Sequence, residues 1–443
     1  MTGAGAAGSP TLAPSGPRGL IGAVSGTETH RAIDAVWRIE SARLIAGLAR
    51  LVGDVGQAED LAQDALLAAL ERWPETGVPD NPGAWLMATA KHRAIDLLRR
   101  RGMLERKHTQ LGHELAQRQE AAVPTLDAAL DDHVGDDLLR LIFTACHPVL
   151  SMEARVALTL RLVGGLTTPE IARAFLVPEP TVAQRIVRAK RTLTDAAVPF
   201  EVPRGAELGA RLASVLGVLY LVFNEGYSAT AGEDLIRPAL CDDALRMGRI
   251  LAGLAAGEPE VHGLVALMEI QASRARARLG PSGEPVLLLD QDRGRWDQLL
   301  IRRGLAALAQ AEALGGADGP YALQAAIAAC HARARTADET DWERIASLYE
   351  RLARVSPSPV VELNRAVAVA MARGPAAGLV LVDRIADARA LKGYHLLPAV
   401  RGDLLERLGR GAEARAEFER AADLTQNARE RALMLERAAR AGG

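Results

Sequence analysis

Aromatic residues make up only 3% of this 443-residue chain, and cysteine occurs three times, at Cys146, Cys241 and Cys330. No two of these stand in a CxxC pair, which excludes a disulfide framework and leaves a zinc site without ligands at workable spacing. Cys146 and His147 are adjacent but have no further partner at ligand spacing, so they read as a buried thiol beside a helix-end histidine. Charge excess is missing too. At a net charge of −2, any affinity for nucleic acid has to come from local patches. No uncharged apolar run approaches the length of a membrane span. Residues 1–30, rich in Gly, Ala, Ser and Pro, lack a charged segment followed by an apolar core, and read as a flexible tail rather than a signal peptide. A soluble, cytoplasmic chain is the expectation. No Ser/His/Asp or metal-ligand cluster appears, so no active site and no cofactor are expected, and the chain is read as not an enzyme.

What is present is helix-forming. The chain is 49% hydrophobic and 24% charged, rich in Ala, Leu and Arg and poor in β-branched runs, which favours an all-α fold. Its length implies two to four domains.

Residues 166–193, LTTPEIARAFLVPEPTVAQRIVRAKRTL, carry the sharpest pattern. Thr168 is placed to cap a first helix, with Pro169 in its first turn and Glu170 where a carboxylate favours the helix dipole. Ile171, Ala172 and Phe175 form its apolar face. Leu176–Val177–Pro178 breaks the period, because the residue before a proline is pushed out of helical space. A second helix starts near Glu179, with Val182, Ile186 and Ala189 inward. Thr181, Gln184, Arg185, Arg188, Lys190 and Arg191 are left on the polar side. Such a set suits a helix lying in a major groove, where Arg and Gln pair with base edges and Thr and Lys reach phosphates. An amphipathic helix with a solvated basic face fits the same pattern.

Upstream, helical periodicity runs from about Ala32 to Val52. The spacing predicts another helix from Gln57 to Arg72, apolar at Leu61, Ala65, Leu66, Ala68 and Ala69 and polar at Glu59, Asp60, Gln63 and Asp64. A loop over 74–82 with Pro74, Pro79 and Pro82 cannot be helical throughout. Trp85 opens a third helix ending at Arg99, Arg100 and Arg101. Residues 102–135 are polar, with acids at Asp127, Asp131 and Asp132 running on to Asp136 and Asp137, and read as a linker or a weakly ordered helix. From Gly205 onward the chain is helical with short Gly/Pro turns. There Gly402, Leu405, Ala414, Phe418 and Ala421 occupy tetratricopeptide (TPR) positions. Ala366, Val369, Gly378, Val382 and Ile385 repeat those offsets near one such period earlier, and a looser unit lies between Tyr321 and Pro357. A non-repetitive helical bundle is the competing reading.

Taken in order, AEDLAQDAL at 58–66, WLMATAKHRAIDLLRRR at 85–101 and the helix-turn-helix resemble bacterial RNA polymerase sigma factors of the extracytoplasmic-function (ECF) group, over about the first 200 residues. The rest resembles the long C-terminal extension of one ECF subgroup, which carries TPR-type repeats; GVLYLVFNEGYSAT at 217–230 and LLLDQDRGRWDQLLI at 287–301 are similar to its segments. The resemblance implies a flexible tail (1–30), sigma region 2 (31–104), a linker (105–135), sigma region 4 (136–197) and a helical C-terminal extension (198–443). It implies core RNA polymerase and promoter DNA as partners. Glu59, Asp60, Gln63 and Asp64 would face the polymerase clamp. Asp80, Asn81, Trp85, Lys91, Arg93, Arg99 and Arg100 would meet the −10 element, by stacking, hydrogen bonding to a flipped base and phosphate contact. Trp85 suits the core equally well. Thr181, Gln184, Arg185, Arg188, Lys190 and Arg191 would read the −35 element.

Many sigma region 4 turns have Gly where this chain has Leu176, and a leucine at positive φ costs on the order of 1–2 kcal/mol. The acidic linker suits either a solvated tether or an anionic strand in a basic polymerase channel. Asn224–Glu225–Gly226–Tyr227 and DQDRGRW at 290–296 suit salt-bridged packing or a ligand pocket. The C-terminal half is expected to pack on the sigma modules and govern their access to polymerase, with a TPR-like face open to a protein partner. The rival readings are a helix-turn-helix regulator with a TPR sensor and no melting role, and an enzyme with its active site in 205–300.

Overall fold

A computed structural model describes residues 26–108, 134–175, 177–229, 231–232, 235–281 and 283–441. The tail before residue 26, Leu176, and the linker acids Asp127, Asp131 and Asp132 lie outside the described residues. The chain is helical almost throughout, as its composition implies, with one two-stranded sheet and one isolated bridge, Leu279 to Pro285, among the described residues.

The first three helices, α1 (Gly26–Val52), α2 (Val55–Thr76) and α3 (Pro82–His108), pack on one another. Asp54 starts α2 by accepting the Gln57 N–H at 2.8 Å. Ala58, Leu61, Ala65, Ala69 and Trp73 turn inward at helical spacing. The helix continues through Pro74, which the sequence reading had placed in the loop. Proline there forfeits one bond, to the Leu70 carbonyl, and only in the last turn. Gly77, at φ 81°, closes the helix on the Trp73 carbonyl, and the loop shrinks to residues 77–81. Asn81 then caps α3, its Oδ1 accepting the Ala84 N–H at 3.0 Å. The expected end of this third helix at Arg101 is passed by two turns.

The next four helices are α4 (Val134–Ala145), α5 (Met152–Leu162), α6 (Thr168–Phe175) and α7 (Glu179–Asp195). Asp137, which continues the run of linker acids in sequence, is 2% exposed. It accepts from Arg50 of α1 at 2.8 Å and Arg140 at 2.7 Å, so it pins α4 to α1. Thr167, not Thr168, caps α6. Its backbone N–H and hydroxyl both reach a Glu170 oxygen at 2.8 Å, because Glu170 stands three residues after Thr167 and completes a capping box. Cys146 is buried against the Thr159 hydroxyl, and burial pushes its thiol up to about 11.

The C-terminal half opens with α8 (Ala206–Tyr227), α9 (Pro238–Leu254) and α10 (Pro259–Ala272). By length and hydropathy alone α8 could cross a membrane, contrary to the sequence reading. Here Val215, Leu216, Leu219, Val222 and Phe223 are core residues. One apolar core runs without a break from Ile33 to Met268, through α1, α4, α5, α7, α8 and α10. Polar contacts follow it. Arg211 of α8 donates to the Phe143 carbonyl at 3.1 Å, Ser214 to Cys146 at 2.6 Å and Arg246 of α9 to Gly164 at 2.8 Å, and Arg237 donates to Ala174. These carbonyls sit at the C-terminal ends of α4, α5 and α6, where the last turn has unused acceptors and a partial negative charge.

Beyond lie α11 (Gln298–Ala313), α12 (Pro320–Arg333), α13 (Trp342–Val355), α14 (Pro359–Arg373), α15 (Pro375–Ile385), α16 (Leu396–Arg407), α17 (Gly411–Leu424) and α18 (Ala428–Ala441), each packed on its sequence neighbour. Two glycines set close helix crossings. A Cβ on Gly378 would lie 2.4 Å from the Ala370 methyl, and one on Gly402 2.8 Å from the Phe418 ring. A parallel pair, β1 (Ala231–Gly232) and β2 (Gln426–Asn427), ties the end of the chain back to the loop after α8. Asn427, fully buried, adds a bond to the Ala229 carbonyl at 3.2 Å.

Candidate nucleic-acid interface

Helix α7 buries Val182, Ile186 and Ala189, the spacing read from sequence, and Leu193 with them. Gln184 and Arg188 are exposed, Thr181 and Arg185 half-buried. Arg191 is exposed and loosely paired with Asp195 at 3.4 Å within the helix. Lys190 departs from this set. Its Nζ lies 2.5 Å from Glu59 Oε2 and 3.3 Å from Asp60 Oδ1, so it faces α2 rather than an open groove.

The acceptor of that contact was itself expected to meet polymerase. Glu59 is 2% exposed. One of its oxygens accepts from Arg161 Nε of α5 at 2.6 Å and Gln63 at 2.7 Å, and the other is ion-paired with Lys190. Glu59 projects toward α5 and α7 because it lies one turn beyond the buried Val55 on the same face of α2. Around it, Thr194 of α7 donates to Asp54 at 2.7 Å and Arg38 of α1 pairs with Glu170 of α6 at 2.5 Å. Desolvation opposes ionisation of Glu170, but the Thr167 hydrogen bonds and the Arg38 charge hold its carboxyl below the ordinary range. The ranking among these contacts is set by burial. Arg38 and Glu170 keep 52% and 32% of their side-chain surface, so that pair contributes at most about 1 kcal/mol. Leaving a buried carboxylate unpaired costs about 3–5 kcal/mol, so Glu59 dominates the contact.

The remaining sites spread over α2 and α3. Asp60 and Asp64 are exposed, Gln63 half-buried. Asp64 pairs with Arg93 at 3.3 Å, joining one residue expected to meet polymerase to another expected on DNA. Asp80 and Asn81 are exposed in the short loop, although the Asn81 carbonyl oxygen is occupied as a cap. Trp85 is half-buried with its ring edge-on to Trp73 at 5.3 Å. It packs on a core tryptophan and keeps part of its surface open. Lys91 is half-buried, and Arg99 and Arg100 are exposed. Asp60, which touches Lys190, and Asp64, which touches Arg93, stand one helical turn apart on α2. The two basic surfaces therefore meet across one helix. Elements named −35 and −10 are centred about 25 base pairs apart, on the order of 85 Å along B-DNA.

Comparison with known proteins follows the same division. Residues 39–103 match the Sigma-70 region 2 family and residues 140–193 the Sigma-70 region 4 family. Over 145 residues the chain is 30% identical to the ECF RNA polymerase sigma factor SigL of Mycobacterium tuberculosis, covering 76% of that protein and 32% of this one. The chain belongs to the ECF RNA polymerase sigma factors. The probable ECF sigma factor SigI of the same organism is 27% identical over 39% of this sigma factor and 58% of its own length. An uncharacterized protein of Rhizobium meliloti, R00370, is 44% identical over 88% of this sigma factor and 91% of its own length, so the likeness extends through the C-terminal half. Residues 211–312 match a family of unknown function, DUF6596. No solved structure matches this sigma factor significantly.

Sequence reasoning missed Arg161, Asp54, Thr194 and Arg38 as parts of the site. Arg161 meets Glu59 across 102 positions, and nothing local to either residue announces the other.

Proposed function

We propose that this sigma factor directs promoter-specific initiation and that its free chain rests in a closed state, held by Glu59 and backed by the C-terminal half. Gln184, Arg185, Arg188 and Arg191, with Thr181, read the −35 element. Asn81, Asp80 and Trp85 engage the −10 element, and Lys91, Arg93, Arg99 and Arg100 hold its phosphates. Asp60, Gln63 and Asp64 dock on the polymerase clamp. Lys190 and Glu59 join those surfaces only after they part. The observation that carries the reading is the Glu59 grip on Arg161 and Lys190. A chain closed in that way cannot span elements on the order of 85 Å apart, so regions 2 and 4 have to separate on the way to a promoter complex. The C-terminal half supports the closed state by holding the region 4 carbonyls through Arg211, Arg237 and Arg246. Its later helix pairs, with small residues at the crossings, fit TPR-type repeats and offer a face to a protein partner. The site of action is the cytoplasm, where promoter DNA and polymerase are.

Run-off transcription with core polymerase tests this. The full chain should give a promoter-specific transcript, and Arg246→Ala, which releases the Gly164 carbonyl, should raise the yield at limiting protein. Duplex binding with no transcript would leave a plain helix-turn-helix regulator. Unchanged yield for Arg246→Ala would remove the C-terminal half from control.

A further inference from the structure

Arginine is unevenly partnered in the C-terminal half. Arg351, Arg365, Arg401 and Arg437 each hold at least one carboxylate. Arg274, Arg276, Arg278, Arg293 and Arg295 make no ion pair with a carboxylate among the described residues. They converge on one place. The guanidinium of Arg274 lies 5.7 Å and that of Arg293 5.0 Å from the Trp296 ring centre, and Arg278 stands 3.9 Å over Tyr227. Arg274 is 9% exposed and Trp296 3%. The hydrogen bonds of these cations go to neutral groups. Arg293 donates to the carbonyls of His331 and Ala334 and to the Thr340 hydroxyl, and Arg274 to the Tyr227 hydroxyl and Gln271. The buried Nε atoms of Arg274 and Arg293 have no partner. The nearby acids are engaged elsewhere: Asp292 accepts the Gly294 N–H, and Asp297 those of Leu299 and Leu300. Burial, and then the charges of Arg274 and Arg293, push the pKa of His331, packed in the same cluster, down to about 3.

Burying a guanidinium is costly, and a cation–π contact returns only part of that cost. Carbonyl bonds return more, yet the positive charge stays unneutralised. Directly over this cluster lies a groove of about 570 Å³ lined by Arg276, Gly294, Arg295, Trp296, Asp297 and Gln298. Both rim arginines are exposed. Guanidinium forks grip carboxylates and phosphates bidentately, and the groove has the size of a small-molecule site.

We propose that the groove over Trp296 binds a small polyanion, a molecule with two or more phosphate or carboxylate groups, gripped by Arg276 and Arg295 over the buried charges of Arg274 and Arg293. The ligand supplies the counter-charge that the fold omits. This inference stands apart from the promoter reading, since it rests on residues outside regions 2 and 4.

Isothermal titration calorimetry on the full chain tests it, with pyrophosphate and citrate as probes at low salt. At least one should bind, and Arg276→Gln/Arg295→Gln should weaken it about tenfold or more, the loss expected for charge-assisted bonds. Both positions are exposed, and an unchanged circular-dichroism melt verifies folding. Pyrophosphate binding alone assigns a phosphorylated ligand, and citrate alone a carboxylated one. Arg302→Gln/Arg303→Gln, exposed on α11 outside the groove, should bind as the parent does. The proposal is overturned if neither probe binds, or if the Arg302/Arg303 variant weakens binding as much as the groove variant does.

Discussion

Glu59 Oε2 lies 2.5 Å from Lys190 Nζ, joining the helix expected on polymerase to the helix expected on DNA. Arg161 holds the other Glu59 oxygen at 2.6 Å. Arg161 belongs to neither expected surface, so it separates the closing contact from binding itself. Arg161→Ala should destabilise the chain by about 1–3 kcal/mol, the cost of a lost charge-assisted bond to a buried group. It should also raise the fraction of protein bound to core polymerase at limiting concentration. Urea titration and a pull-down on core polymerase measure the two effects. Lost stability without tighter binding would make Glu59 a structural hub and nothing more.

Arg185 projects from α7 without an ion pair among the described residues. If it reads a base, Arg185→Ala should cost about 1–3 kcal/mol of discrimination at one −35 position. Electrophoretic shifts on a panel of single-base promoter variants would show that. An even loss across the panel would reassign Arg185 to phosphate.

His331 makes stability depend on pH. Burial, then Arg274 and Arg293, lower its pKa from 6.5 to about 3. The unfolded histidine therefore binds a proton between those values that the folded one refuses, and stability falls as pH drops through that window. The loss at the acid end reaches at most several kcal/mol. His331→Gln should flatten the slope of the urea midpoint between pH 7.5 and 5, roughly the upper part of that window. An equal slope in both proteins would mean that His331 is protonated in the fold.

Gly378 admits α15 against α14. Gly378→Ala would place a methyl 2.4 Å from Ala370 and 2.7 Å from the Ala366 carbonyl, costing about 1–3 kcal/mol through forced separation of the pair. Differential scanning calorimetry should register a lower Tm. No change would mean that the crossing is loose enough to give way.

These outcomes also mark where the sequence was legible. Val182, Ile186 and Ala189 announced α7 because a 3.6-residue period is written in the helix's own residues. The capping of α6 slipped by one residue, since Thr167 and Thr168 both look like caps and only the reach of Glu170 chooses. Pro74 was read as a breaker, although the last turn tolerates it. Glu59 was the largest miss in the site: a carboxylate among Asp60, Gln63 and Asp64 reads as solvated, and its two cations come from helices far along the chain. Asp137 opens a helix as its sequence predicts, but its burial was not legible, since its partner Arg50 lies 87 positions away. Salt-bridged packing, one of the two expectations for DQDRGRW at 290–296, does not hold for Arg293, whose hydrogen bonds go to the His331 and Ala334 carbonyls and the Thr340 hydroxyl.

The parallel pair of β1 and β2 has a bearing on how the second half holds together. Stacked helix pairs with free ends melt one unit at a time, because each touches only its neighbours. Here Gln426–Asn427 are fastened to Ala231–Gly232, and Arg429 reaches the Gly283 carbonyl at 2.7 Å. The start of the last helix is thus fastened to the loops after α8 and α10, and fraying from the C-terminus must break the clasp before it can spread. A chain cut short ahead of Gln426 would lose more than its final helix, since the loop after α8, next to the arginines that hold region 4, would lose its fastening as well.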